Sequence, residues 1–322
     1  LNQRYLVTGA AGFIGYRLAL ALAGRKGAEI VCVDNFVRGE ADRLYLELAG
    51  RANVERIDCD LSDAAAVQAL PDGFDTIFHL AALNGTQNFY ERPFDVVRHC
   101  TLPTLNLLQR YASSGPGRFV YAGTSEAYAS TVTTFGWPVP TAEDVPLSID
   151  DPSNPRWSYG ASKLHGEVAV HAAARQFGMP QTIIRYHNVY GPRMGDKHVV
   201  PDFLTRARRG EFALYGGDDT RAFLYVDDAV EATLRVAESA DCAGETVNIG
   251  GSRETRITEL AEVMMRVGGW QGEVAVHPSP PGSVKRRAPD LAKLRRLTGF
   301  EESWNLEDGL RETARFYLED AG

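Results

Sequence analysis

Cysteine is scarce in this sequence. Among 322 residues only Cys32, Cys59, Cys100 and Cys242 occur, far apart and with no CxxC pair. That spacing argues against a disulfide framework or a cysteine-based zinc site, and it fits a reducing cytoplasm. The four thiols are expected to be packing residues. No uninterrupted apolar run approaches the roughly 20 residues that span a bilayer. No basic, apolar and small-residue leader pattern opens the chain, so a cytoplasmic location is expected. Positive charge is also in deficit. Lys and Arg number 34 against 42 Asp and Glu, a net charge of −8, whereas a nucleic-acid footprint needs a basic face. What remains is an ordinary globular composition, 44 % hydrophobic and 24 % charged. Disorder, collagen and coiled coil are poor descriptions of the whole.

The first half alternates short apolar runs with helix-like segments. Tyr5–Thr8, Ile30–Asp34, Val54–Ile57, Thr76–Leu80, Phe119–Ala122 and Thr182–Tyr186 read as strands, and Ile14–Ala23 has helical spacing. Short buried strands separated by helices imply parallel βαβ units with right-handed crossovers. After about Gly191 the texture changes. Pro192, Pro201 and Gly216-Gly217-Asp218-Asp219 break it, His277–Arg287 reads as a loop, and Leu291–Leu297 and Leu306–Leu318 read as closing helices. The expected fold class is α/β. A Rossmann-type doubly wound parallel sheet spans residues 1–184 plus about 222–251. A smaller, partly interleaved α/β substrate lobe spans 185–221 and 252–322.

Thr8-Gly9-Ala10-Ala11-Gly12-Phe13-Ile14-Gly15 follows the first strand and opens the first helix. Gly9 permits a tight turn, Gly12 lets the backbone approach a pyrophosphate, and Gly15 lets helix and strand pack closely. The helix N-terminus offers free N–H groups to an anion. The spacing is GxxGxxG, not GxGxxG. Asp34, followed by Asn35, ends the second strand about 20 residues on, where an acid binds a ribose 2′-hydroxyl and repels a 2′-phosphate. NAD is therefore favoured over NADP, with Arg38 close by as the counter-indication. Asp60-Leu61 follows the third strand. Asp60 either accepts from the adenine amino group or caps a helix, a task also open to Ser62 and Asp63.

Tyr159 and Lys163 stand four residues apart, on one face of a helix. A nearby ammonium favours the phenolate, and such a tyrosine can take a proton from a sugar hydroxyl as NAD takes the hydride. With these residues the sequence resembles the extended short-chain dehydrogenase/reductase family of nucleotide-sugar epimerases, dehydratases and decarboxylases. The likeness covers nearly the whole chain. It rests on Thr8–Gly15, Asp34, Asp60-Leu61, His79-Leu80-Ala81-Ala82, Gly123–Tyr128, Tyr159 with Lys163, Arg185–Arg193, Arg221–Asp228 and Arg287–Asp290.

The resemblance implies tightly held NAD, a sugar nucleotide between the lobes, and a homodimer formed through helices that include the one carrying Tyr159. It implies Tyr159 as base, with Lys163 as its partner and as holder of the nicotinamide ribose. Thr124 would orient the sugar O4. Gly9, Gly12, Phe13, Ile14, Gly15, Asp34, Asn35, Asp60, Leu61, Leu80, Ala81 and Ala82 would hold the cofactor, and Tyr186 and Val189 would flank its nicotinamide end. Asn188 would meet the substrate diphosphate, Val199 would line the substrate site, Arg221 and Arg287 would pair with phosphate oxygens, and Asp290 would fix the nucleotide ribose. The plain alternatives are a surface salt bridge for Arg221 and a solvated charge in Lys285-Arg286-Arg287 for Arg287. Two departures stand out: Cys100 where Asn is usual, and Ala129 after Tyr128 where Gly is common.

All candidate reactions begin with oxidation at sugar C4, and the ketone acidifies C5–H. Thr124-Ser125-Glu126 places a carboxylate where it can take that proton and drive loss of the C6 hydroxyl. The expected reaction is therefore a 4,6-dehydratase-type elimination, ahead of 4-epimerisation and of uronate decarboxylation. A salt-bridged loop position for Glu126 would favour the epimerase. UDP is preferred on subfamily likeness alone. His165, His171, His187 and His198 lack zinc-site spacing, so no metal is expected. His79 reads as packed, while His187 and His198 flank the sugar region. A non-catalytic NAD-binding sensor is the reading from another class.

Overall fold

The apolar runs become strands because both faces of their sheet are covered by helices. A computed structural model describes residues 2–196, 198–279 and 284–318. Its strands include β1 (Gln3–Thr8), β2 (Ala28–Asp34), β3 (Val54–Asp58), β4 (Thr76–His79), β5 (Arg118–Thr124) and β6 (Gln181–Tyr186). With Thr246–Ile249 they form a seven-stranded sheet in the order Thr246–Ile249, β6, β5, β4, β1, β2, β3. Strand β1 runs parallel to β2 on one side and β4 on the other, β2 to β3, and β4 to β5. The strand order therefore reverses at β1, and the carboxyl ends of β1 and β4 part there. Such a switch point is where open α/β sheets bind their ligands. Leu6, Val31, Ile77, Phe119, Tyr121 and Ile183 form the core of this layer.

Two compact units result, each described by itself. The first comprises Leu1–Ala127, Ile149–Arg185 and Thr233–Val247, and it is the Rossmann-type unit. The second comprises Tyr128–Ser148, Tyr186–Ala232 and Asn248–Gly322. The division differs from the one read in the sequence over residues 128–148, 222–232 and 248–251, and at residue 185. Tyr128–Ser148 groups with the second unit because Thr141 donates to Ala288 and accepts from Asp290 and Asn248. The segment from 222 to 232 also groups there.

The second unit holds small sheets: Glu254–Arg256, Thr220–Ala222 and Arg286–Arg287 side by side, Val189–Tyr190 with Leu224–Tyr225, and Ala213–Tyr215 with Ala275–His277. The closing helices are Ala292–Thr298 and Leu306–Leu318. Residues 280–283 of the expected loop lie outside the described residues.

One glycine explains how the long helix Trp157–Phe177 reaches the sheet. Glycine inside a helix costs about 1 kcal/mol relative to alanine, yet Gly166 stands mid-helix. A Cβ there would run into the Tyr121 hydroxyl of β5. Gly166→Ala should therefore lose about 1–3 kcal/mol by overpacking, read from the urea midpoint. Adding Tyr121→Phe, which removes the obstructing oxygen, should recover part of that loss.

Candidate active site

The glycine turn is built as its spacing implied. Gly9 sits at φ +71, and a Cβ on it would lie 2.8 Å from the Ala81 amide nitrogen. A Cβ on Gly15 would collide with the Gly9 carbonyl. Gly12 is different, because its Cβ would meet only Gly9 O, at 3.1 Å. It caps the helix Phe13–Ala23 with no side-chain bond to the first-turn amides. Phe13 and Ile14, half-buried, open that helix.

At the end of β2, Asp34 accepts from Ala11 N–H and Phe36 N–H, both at 2.9 Å. Its carboxylate thus ties the glycine turn to the following loop. Arg38 donates to Asn84 Oδ1. Asn35 reaches Asp60 at 3.4 Å. The capping question after β3 is resolved in favour of Asp63, which accepts from Ala65 and Ala66. Asp60 instead accepts from the Ser62 amide and hydroxyl. Burial pushes its carboxyl up, but these donors and Asn35 hold it below the usual carboxylate range. Leu61 is buried and gives its carbonyl to Asn106. Leu80 N–H and Ala81 N–H donate to the Thr8 carbonyl and hydroxyl. Ala82 packs beside Leu83, Phe89, Val96, Cys100 and Tyr159. His79 bridges Thr8 and Thr104 at 2.8 and 3.0 Å, fully buried, a packed position.

Tyr159 and Lys163 lie one turn apart on the Trp157–Phe177 helix, both buried. Lys163 Nζ donates to Ala122 O at 2.8 Å and stands 4.9 Å over the Tyr121 ring. Burial pulls its pKa down, while Cys100 and Glu167 act to raise it. Tyr159 stacks on Phe89 with centroids 5.3 Å apart. Burial drives its phenol up, and Cys100 and Glu126 push the same way, whereas Thr124 and Arg38 oppose them.

Thr124 ends β5 and Ser125 opens the following turn, both buried. Glu126 lies 3.5 Å from the Arg156 guanidinium, the salt-bridged position that the sequence left open. Beside it, Arg156 Nε, Trp157 Nε1 and Ser158 Oγ are buried without a hydrogen-bond partner among the described residues. Cys100 Sγ contacts the Leu83 carbonyl at 3.6 Å, so the thiol stands in the cluster with Tyr159.

In the second unit, Val189 pairs with Leu224 and Tyr186 is half-buried at the end of β6. Asn188 is at φ +41 with its Oδ1 buried and unpartnered among the described residues. Arg221 and Arg287 are register neighbours on parallel strands. Arg221 Nη2 is 3.9 Å from Asp219. Of the basic run, Arg286 is the residue with a bidentate acid, Glu254. Asp290 is half-buried and accepts from Ala292 N–H, and Val199 starts the helix Val199–Ala207 with its side chain exposed. His187 is buried, and no group of metal-ligating side chains occurs among the described residues.

A family model described as "NAD dependent epimerase/dehydratase family" matches residues 5–250. The chain belongs to this family. Within the epimerase/dehydratase family, it is 34 % identical over 330 residues to the UDP-N-acetyl-alpha-D-glucosaminuronate decarboxylase of Bacillus cytotoxicus, covering 99 % of both chains. Among solved structures, UDP-glucose 4-epimerase of Thermotoga maritima with UDP-glucose matches at TM-score 0.87 and 29 % identity, over 99 % of this chain and 100 % of that one. DesIV, the dTDP-glucose 4,6-dehydratase of Streptomyces venezuelae with NAD bound, matches at TM-score 0.87 and 27 % identity, over 99 % and 98 %.

Sequence reasoning missed two charged residues that the fold pairs near Lys163 and Glu126. Glu167 pairs bidentately with Arg185 at 3.0 and 2.7 Å, both buried. Its position four residues after Lys163 was the available signal. Arg156 was missed because its acid, Glu126, lies far along the chain.

The acid limb of kcat/KM against pH reports the ionisation of the base. Thr124→Val removes a group that lowers the Tyr159 phenol, so an acid limb set by Tyr159 should move to higher pH. Glu126→Gln removes a charge that raises it, so the limb should move to lower pH.

Proposed function

We propose that the chain is an NAD-dependent enzyme that oxidises C4 of a nucleoside-diphosphate sugar, UDP-linked by preference, and then decarboxylates a C6 uronate. The observation that carries the oxidation is the buried Tyr159, one helical turn from Lys163. The cofactor fits the residues present. Gly12 leaves room that a side chain would fill, uncapped helix amides face it, and Asp34 is held in place at the end of β2. Bound there, NAD would supply the hydride acceptor for oxidation at C4 and the hydride source for the final reduction. Tyr159 takes the proton of the C4 hydroxyl, Thr124 orients that oxygen, and Lys163 favours the phenolate. Leu80, Ala81 and Ala82 approach the cofactor through their backbone. Tyr186 and Val189 flank the nicotinamide end. Arg221 and Arg287, adjacent and alike in charge, take the diphosphate with Asn188, while Asp290 takes the ribose and Val199 lines the substrate.

Two observations bring decarboxylation ahead of the 4,6-elimination that the sequence favoured. One is the full-length likeness to a uronate decarboxylase. The other is Arg156 beside Glu126, a cation near the acid that a C6 carboxylate would approach. A 4-keto uronate is a β-keto acid. The C5–C6 bond breaks, its electron pair enters the C4 carbonyl as an enolate, carbon dioxide leaves, and C5 takes a proton. The Glu126–Arg156 ion pair is the condition that favours 4-epimerisation, which is the alternative; the 4,6-dehydratase reading, which needs Glu126 as the C5 base, stands behind it.

Mass spectrometry of products from a nucleotide-sugar panel in heavy water tests this. Loss of carbon dioxide from a UDP-uronate with one deuterium gained is expected. Loss of water would install the dehydratase, and an unchanged mass with altered retention would install the epimerase. Tyr159→Phe should lower turnover by orders of magnitude with NAD still bound.

A homodimer is part of the proposal. Phe94, Val97, Leu102 and Leu105 of the helix Pro93–Tyr111 and Val168 and Phe177 of Trp157–Phe177 are exposed, an apolar area that a second copy would cover. Light scattering at micromolar protein should give twice the chain mass, and a monomer would refute it.

A further inference from the structure

Asn188 combines two features that a protein does not keep without support. Its φ of +41 is a left-handed conformation in a residue that has a side chain, and its Oδ1 is buried without a partner among the described residues. Strain of this kind persists where the surroundings over-determine it. The holding comes from both sides. Leu224 N–H donates to the Asn188 carbonyl at 3.3 Å, and His187 N–H donates to Ile249 O at 2.8 Å.

The His187 ring is the stronger anchor. It is 1 % exposed, and its Nε2 lies 3.1 Å from Asn248 Oδ1. Gly250 has no side chain where a Cβ would come within 2.6 Å of His187 Cβ.

Asn248 is the hub. Its Nδ2 lies 3.1 Å from Thr141 O and 3.3 Å from Asp290 O. Two carbonyls accept there, so the amino group must face them and the amide oxygen must face the other way. That oxygen accepts from Tyr128 OH at 2.9 Å and leaves His187 Nε2 no role but donor. The backbone N–H of Asn248 donates to Glu143 Oε1 at 2.9 Å. One buried amide therefore joins the Tyr128–Glu143 stretch, the His187-Asn188 pair and Asp290.

We infer that Asn248 is a positioning residue for the nucleotide-sugar end of the site, acting through the Nε2–H of His187 on Asn188 and through its own side-chain N–H on Asp290. This rests on the reading above that Asn188 and Asp290 meet a nucleoside diphosphate. Neither Asn248 nor His187 touches the reacting carbon in this account.

The test uses the NAD-loaded enzyme and titration calorimetry with UDP, dTDP and GDP. His187→Leu, which removes the donor, should weaken the best-bound of the three at least tenfold with unchanged NAD content. His187→Gln, whose amide can donate along the same line, should stay within about threefold. Wild-type-like binding by His187→Leu, or no rescue by Gln, overturns the inference alone. Failure of the wild type to bind any of the three overturns the nucleotide-sugar reading and this inference with it. Should His187→Leu not fold, nitrogen NMR of the wild-type histidines decides: the Nε2–H form of His187 is expected, and the Nδ1–H form refutes the hub.

Discussion

Lys163 is a cation 1 % exposed to solvent, and a charge in that setting is costly unless it is met by dipoles and acids. Three groups meet it: the Ala122 carbonyl, the face of Tyr121, and Glu167 one turn along its own helix. All three require the Trp157–Phe177 helix to lie hard against β5. Gly166 lets the helix past the Tyr121 hydroxyl. Gly123 does the same for the strand, since a Cβ there would lie 2.9 Å from Ile184 O and 3.0 Å from Glu167 Oε1. Once the helix is seated, Tyr159 has no choice of place. It falls one turn earlier, at the end of β5, where Thr124 can reach its hydroxyl.

The acid that helps Lys163 is itself secured. Glu167 shares a buried bidentate contact with Arg185, and removing one partner of such a pair typically costs about 3–5 kcal/mol. The Tyr159 phenol is thus surrounded by opposing influences. Burial, Cys100 and Glu126 favour its neutral form, while Thr124 and Arg38 favour the anion. Cys100 occupies the place where Asn is usual, and it brings a thiol instead of an amide into that balance.

The second unit brings like charges together. Register places Arg221 beside Arg287, and like charges side by side are unfavourable. Asp219 relieves part of the repulsion at 3.9 Å. Arg286 is neutralised by Glu254 and is thereby kept out of this arrangement. The Asn248 amide ties the Thr141 and Asp290 carbonyls together without adding a charge.

Much of this was legible before any coordinate. Parallel βαβ order, the glycine turn, Asp34, and the shared face of Tyr159 and Lys163 depend on short-range sterics and on fixed periods of two and 3.6 residues. A linear string carries those directly. Other choices were open in the string. Asp63 rather than Asp60 caps the helix because its oxygen is in reach of two amides. Arg286 rather than Arg287 takes the acid because neighbouring residues of a strand face opposite ways, and only the register says which way. Glu126 found Arg156, and Asn248 found His187, across long stretches of chain. The sequence alone determined the alternation of strands and helices, the glycine turn, and the shared helical face of Tyr159 and Lys163. Tertiary structure alone decided which charges meet and which amides donate, because those depend on strand register and on contacts between residues far apart in the chain.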